Sequence, residues 1–393
     1  MTLPLPFNPT NLKTPCHVVD EARLLHNLKL LRLVQERAGC KILLAQKAFS
    51  MFALYPLIGK YLSGTAASGL YEARLGAEEM AWGSQGMEAR EPLETHVFSA
   101  AYSEEEFREL LGYCDHIVFN SFAQWEKLGP MALRAGKQCG IRVNPECSTQ
   151  GRAIYDPCAP RSRLGVTAAH FQKNTRLLDG ITGLHFHTLC EQGSDALEIT
   201  LQAFCEKFGK YLPQMRWVNF GGGHHITREG YDIERLVRLI TEFKQRYDVE
   251  VYLEPGEAVA LDAGFLVSSV LDIVENDGGI AILDTSAACH MPDVLEMPYR
   301  PEAIGGGLPG AKPFEYRLAG PTCLAGDVIG DYSFDEPLSI GSKVVFADMA
   351  IYSMVKSNTF NGMPLPSIMI CRQDGAMELV KTFGYADFRG RLS

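Results

Sequence analysis

Eight short β-like runs, each followed by a helical stretch, constrain this chain more than any other feature. They are KILLAQ (41–46), GTAASG (64–69), HVFSAA (96–101), HIVFNS (116–121), CGIRVNP (139–145), ITGLHFH (181–187), WVNFGG (217–222) and EVYLEPG (250–256). Segments 103–113 and 231–246 have helical periodicity, and Ser103 is placed to cap the first. Alternating strands and helices demand parallel pairing through crossovers, and eight such strands close a (β/α)8 barrel. A doubly wound open sheet is the competing arrangement, but the Gly-rich fingerprint after its first strand is absent. Past residue 262 the texture changes: LVSSVLDIVEN, GGIAILDTSA, YRLAGPTC, SKVVFADMA and SIMICRQ are β-rich and broken by Gly, Pro and Asp. PCHVVD (15–20) joins that second domain before a helix over 21–37. The expected division is therefore a barrel over 38–261, with 1–37 and 262–393 forming a β-rich domain.

Composition narrows the function classes. With 46% hydrophobic and 21% charged residues, the chain can bury a sizeable core. The opening MTLPLPFNPT lacks a basic and an apolar region, and no apolar run is long enough to span a bilayer, so a cytoplasmic protein with no membrane partner is expected. Eleven cysteines are scattered without a CxxC pair, which fits reduced core thiols. A net charge of −10 disfavours nucleic acid and suits a cationic substrate.

Barrel enzymes work at the C-terminal ends of their strands. There the first run ends at Lys47, flanked by apolar ILLA and AFSMFAL. A lysine in such surroundings loses solvation and becomes available as a neutral amine. The sixth run ends at His185 and His187, which share a face because alternate strand residues point the same way. Gly221, Gly222 and Gly223 close the seventh run, where barrel phosphate sites commonly form and backbone N–H groups can approach an anion. Glu254 closes the eighth, and a carboxylate there can keep a pyridine nitrogen protonated. Taken singly, a solvated lysine, a tight glycine turn, a structural carboxylate and a satisfied core histidine are the plainer explanations. Their convergence on one rim favours a site.

In this order the residues resemble the fold type III, alanine racemase-like enzymes that use pyridoxal 5'-phosphate, and within them the diaminopimelate and ornithine decarboxylase group. The resemblance covers nearly the whole chain and continues with Gly320-Pro321-Thr322-Cys323, Asp327 and Tyr352. It implies a pyridoxal-phosphate-binding TIM-type barrel with a β-rich domain. It further implies Lys47 as the Schiff-base lysine, His187 stacked on the ring, and Gly221–Gly223 around the phosphate. Glu254 would face the pyridine nitrogen and Tyr352 would be another phosphate contact. Cys323 resembles the cysteine that a partner subunit inserts near Cα, so a homodimer with shared active sites is implied.

Two departures refine this. Leu189-Cys190 stands where the group has Gly-Ser, and Glu257 where it has Arg, so two phosphate contacts are missing. A glutamate facing a phosphate would cost roughly 4 kcal/mol at about 4 Å if the effective dielectric is about 20. Glu257 is thus expected to meet a substrate ammonium. These departures, with TLCEQ after His187 and LDTSAACHMPDVLEMPYRP, resemble the carboxynorspermidine (carboxyspermidine) decarboxylases. That likeness implies a small polycationic amino-acid substrate, for which Glu257, Asp293 and Asp327 are the candidate acidic ligands. The alternatives are a diaminopimelate or other basic amino-acid decarboxylase, a non-catalytic pyridoxal-phosphate-binding protein, and a metal-dependent barrel hydrolase using His185, His187, His224 or His225. No metal is expected.

Overall fold

A computed structural model describes residues 5–83, 92–151 and 153–393. After strand β1 (Cys16–Asp20) and a helix over Glu21–Ala38 come β2 (Lys41–Ala45), β3 (Gly64–Ala67), β4 (Glu94–Phe98), β5 (His116–Phe119), β6 (Gln138–Asn144), a two-residue β7 (Val166–Thr167), β8 (Gly183–His185), β9 (Trp217–Asn219) and β10 (Glu250–Leu253). All of the pairings from β2 to β10 are parallel. The order β2-β3-β4-β5-β6-β8-β9-β10 returns to β2, so eight strands close a barrel, with β7 attached outside the ring to β6.

The helices form for local reasons. Helix Glu104–Leu110 is capped by Ser103, whose Oγ accepts from Glu106 N–H at 3.2 Å. Helix Ile233–Tyr247 is capped by Asp232 and ends at Asp248 in the left-handed region, φ 52°. Its buried residues Leu236, Leu239, Ile240 and Phe243 recur at helical spacing. Each stabilises the unit by roughly 1.5–3 kcal/mol on burial.

Inside the barrel, a Cβ on Gly183 or Gly140 would sit 2.0 or 2.4 Å from the Trp217 indole, so both strands carry glycine where that ring crosses. Beside it Glu94 accepts from Lys41 Nζ (2.6 Å), Tyr252 Oη (3.0 Å) and His96 Nε2 (2.9 Å). Burial works to raise the Glu94 carboxyl, but His96 and Lys41 outweigh it and hold it far below the usual carboxylate range.

The division into compact units falls at Asn27–Val259 against residues up to His26 with Ala260–Ser393, inside the first helix rather than at its end. The reason lies in polar side chains of the helix's later turns: Asn27 Nδ2 donates to Val259 O, and Gln35 pairs with Tyr61 O and Ile42 N–H. The second unit carries β11 (Gly264–Glu275), β12 (Gly279–Leu283), β13 (Phe314–Ala319), β14 (Val328–Phe334), β15 (Lys343–Ala347), β16 (Ser367–Cys371) and β17 (Met377–Lys381). Its sheet runs β14-β13-β12-β11-β1-β16-β17, with β15 also on β11. A register shift between Val270 and Asp272 lets the long β11 pair with β1 and β15 by one half and with β12 by the other. Among the described residues no helix is long and apolar enough to cross a membrane.

Candidate active site

The chain leaves β2 through a fixed turn. Gln46 is fully buried, its amide donating to Glu72 O at 2.8 Å and accepting from Tyr55 Oη at 3.0 Å. Lys47, next in the chain, is held by that anchor. It keeps solvent access yet lies among crowded protein groups. Crowding first, and then the Arg142 cation, push its amine below the ordinary lysine value, against the opposing charges of Glu254, Cys190 and Glu257. Both leading causes favour the neutral, nucleophilic form.

His187 accepts at Nδ1 from Gly222 N–H, 2.8 Å away, so the neutral ring carries its proton on Nε2. Burial, then Lys47 and Arg142, hold it well below the ordinary histidine value. The glycines are required by close approach. A Cβ on Gly222 would lie 2.6 Å from Glu254 O, and one on Gly223, at φ 79°, only 2.0 Å from Leu189 O. The amides are not equivalent, which narrows the sequence expectation of a three-glycine cradle. Gly221 N–H is taken by Asn219 Oδ1 (2.8 Å) and Gly222 N–H by His187. Among the described residues no protein acceptor faces the Gly223 and His224 N–H groups. An anion at this rim would meet those two.

Glu254 accepts from Asn219 Nδ2 at 2.7 Å and from His185 Nε2 at 3.3 Å. Burial alone would raise its carboxyl; His185, His96 and Asn219 outweigh that and bring it to about 2. Burial also lowers His185, so at neutral pH it is a neutral N–H donor beside a carboxylate. Sequence reasoning missed Arg142. It is 5% exposed, its guanidinium 4.5 Å from the Phe98 ring centroid, and Phe98 stacks on His185 at 5.5 Å and 15°. Burial brings it only to about 10, so it remains a cation. The one signal was a charge alternating with apolar Ile141 and Val143 in an otherwise buried strand. Glu257, half-buried at the start of the turn after β10, acts electrostatically on Lys47 and on Cys190, whose thiol burial pushes up to about 11.

Four expected site residues belong to the other unit. Asp327 is 3% exposed and accepts from Ser286 Oγ (2.9 Å) and Thr322 Oγ1 (2.6 Å), so both oxygens are used in holding the turn that presents Cys323. Cys323 is exposed, its N–H donating to Asn361 Oδ1 at 2.7 Å. Asp293 pairs with Lys356. Tyr352 has φ 55° and ψ −15°, a strained conformation of the kind that clusters at ligand clamps.

Glu94, His96 and His116 place ligand atoms within 4.8 Å of one another, but the two imidazoles stack at 4.0 Å and 19°. In-plane lone pairs of stacked rings run side by side and do not converge on one ion. His185 and His187 are already committed to Glu254 and Gly222.

The residues present suit pyridoxal phosphate: an amine of lowered pKa, a glycine turn packed too closely for any Cβ, two amides without a protein acceptor among the described residues, and a fixed carboxylate. Residues 16–350 match the family model described as pyridoxal-dependent decarboxylase, C-terminal sheet domain. The chain is 43% identical to the carboxynorspermidine/carboxyspermidine decarboxylase of Campylobacter jejuni, over 96% of this chain and 98% of that one. It is 42% identical to the carboxyaminopropylagmatine decarboxylase of Synechocystis sp., over 98% and 96%. Its fold is similar to that of the crystal structure of carboxynorspermidine decarboxylase complexed with norspermidine from Campylobacter jejuni, with TM-score 0.87, 42% identity, and 97% and 100% covered. By family match and near full-length likeness, this chain belongs to the pyridoxal-dependent decarboxylases.

Proposed function

We propose that this enzyme decarboxylates carboxynorspermidine and carboxyspermidine in the cytoplasm, giving norspermidine and spermidine. The observation that carries the substrate class is Glu257, a carboxylate whose charge reaches Lys47 at the barrel rim where related decarboxylases have an arginine. A polycationic amino acid supplies a distal ammonium with no carboxylate beside it, whereas the distal ammonium of diaminopimelate shares its carbon with a carboxylate that Glu257 would repel. Near full-length likeness to the two relatives above supports the same class.

Lys47 is the amine that anchors the cofactor aldehyde, and its lowered pKa keeps it reactive. The Gly223 and His224 amides would receive the phosphate, with Tyr352 as a further contact, and His187 would lie against the ring. Glu254, ionised and doubly held, keeps the proton on the ring nitrogen. Bound pyridoxal phosphate supplies the sink for the electron pair left when carbon dioxide departs. Cys323 of the partner subunit or Lys47 would be the group that gives its proton to Cα. Glu257, Asp293 and Asp327 would hold the substrate's cationic tail, and Asp327 also fixes the turn bearing Cys323. The net charge of −10 draws the polycation in. A homodimer completes each site.

Incubating the purified holoenzyme with carboxynorspermidine and separating the amines tests this. Norspermidine formed in step with carbon dioxide is the expected outcome, and cofactor binding without product would refute it.

A further inference from the structure

Two of the group's usual phosphate contacts are absent here, yet one residue, through its main chain and its side chain together, ties the three strand-end loops around the remaining amides. Gln192 follows His187 by five residues. Its N–H donates to Gly223 O at 3.0 Å and its C=O accepts from His225 N–H at 3.2 Å, bracketing His224 in a parallel bridge. Its side chain is fully engaged: Oε1 accepts from Thr149 Oγ1 at 2.9 Å and from Gln150 Nε2, and Nε2 donates to Thr149 O at 2.8 Å. Gln150 also reaches Cys190 O. The loop after β6 is thereby locked to the loop after β8, and that loop to the turn after β9.

The bond to Gly223 O has a geometric consequence. A trans peptide is planar, so its C=O and the following N–H point in opposite directions. With the Gly223 carbonyl held by Gln192, the His224 N–H is aimed to the opposite side of that peptide, and it has no protein acceptor there among the described residues. Resting on the reading of this rim as a pyridoxal-phosphate site, we propose that Gln192 is a positioning residue for phosphate recognition. Its main-chain N–H orients the Gly223–His224 peptide, and its side chain, bonded to Thr149 and Gln150, fixes the loop that carries that N–H, so that backbone donors take the place of the missing arginine and serine.

Binding of the apo-enzyme to pyridoxal phosphate and to pyridoxal, which shares ring and aldehyde but lacks phosphate, isolates this role. The wild type should bind the phosphate ester far more tightly. Gln192→Ala should weaken pyridoxal phosphate binding about tenfold, the equivalent of one well-formed hydrogen bond, and change pyridoxal binding less than about twofold. Thr149→Val removes only the Oγ1 donor to Gln192 Oε1 and adds no charge beside the phosphate. It should show a smaller loss with the same selectivity, and it provides the test should the alanine variant not fold. Equal weakening of both ligands, or no change in either, overturns the proposal. A wild type that does not distinguish the two ligands overturns both this proposal and the cofactor-site reading beneath it.

Discussion

Lys47 and Glu254 sit at opposite ends of one electrostatic arrangement. Arg142 stays a cation inside the barrel, and its charge helps lower the Lys47 amine. Lys47→Ala should abolish the visible absorption band of the bound cofactor and reduce turnover by about three orders of magnitude or more. A coloured, fully active variant would remove the residue from the mechanism. Glu254 gives a pH prediction. Its carboxyl is brought from 4.5 to about 2, so the folded state binds that proton more weakly than the unfolded chain does. The stabilisation is present above the unfolded value and disappears as pH falls from about 4.5 towards 2. Denaturant unfolding across that window should show wild type losing stability more steeply than Glu254→Gln; parallel losses would contradict the assignment. Lys47 and Glu254 were legible because each is a polar residue ending an apolar strand. Arg142 was not, because its inward direction becomes evident only once β6 takes its place in the closed ring.

At the scale of elements, glycine positions report close approaches. Gly183→Ala would drive a Cβ to within 2.0 Å of the Trp217 ring, and overpacking of this kind costs about 1–3 kcal/mol or more. Thermal denaturation should show a drop of several degrees, and an unchanged midpoint would mean that the indole does not cross this strand. All eight barrel strands were readable from their apolar runs, and Ser103 from its position as a cap. The two-residue β7 and the hairpin partners β14 and β17 were not, since short edge pairing in polar stretches such as MELVK leaves little periodicity. The glycine cluster was found, but its division of labour was not. Which amides are spent on Asn219 and His187 depends on side chains arriving from β8 and β9.

For the whole molecule, the unit bearing Cys323, Asp327 and Tyr352 is proposed to serve the site of a second copy. Mixing Lys47→Ala with Cys323→Ala tests this, because each heterodimer would regain one intact site. Reassembled mixtures should recover about a quarter of wild-type activity at equal proportions. No recovery after subunit exchange would place both residues in a site made by one chain. The acidic residues expected to grip the substrate have different immediate surroundings. Glu257 bears on Lys47, Asp293 is paired with Lys356, and Asp327 is enclosed by Ser286 and Thr322. Sequence marked all three as acidic but could not show which oxygens were already used. The central claim, a decarboxylase selective for a carboxylated polyamine, is tested most directly by the ratio of kcat/KM for carboxynorspermidine to that for diaminopimelate. The account predicts a ratio of at least about a thousand, because an unmatched charge in a built site is heavily penalised, and a ratio near or below one would contradict it.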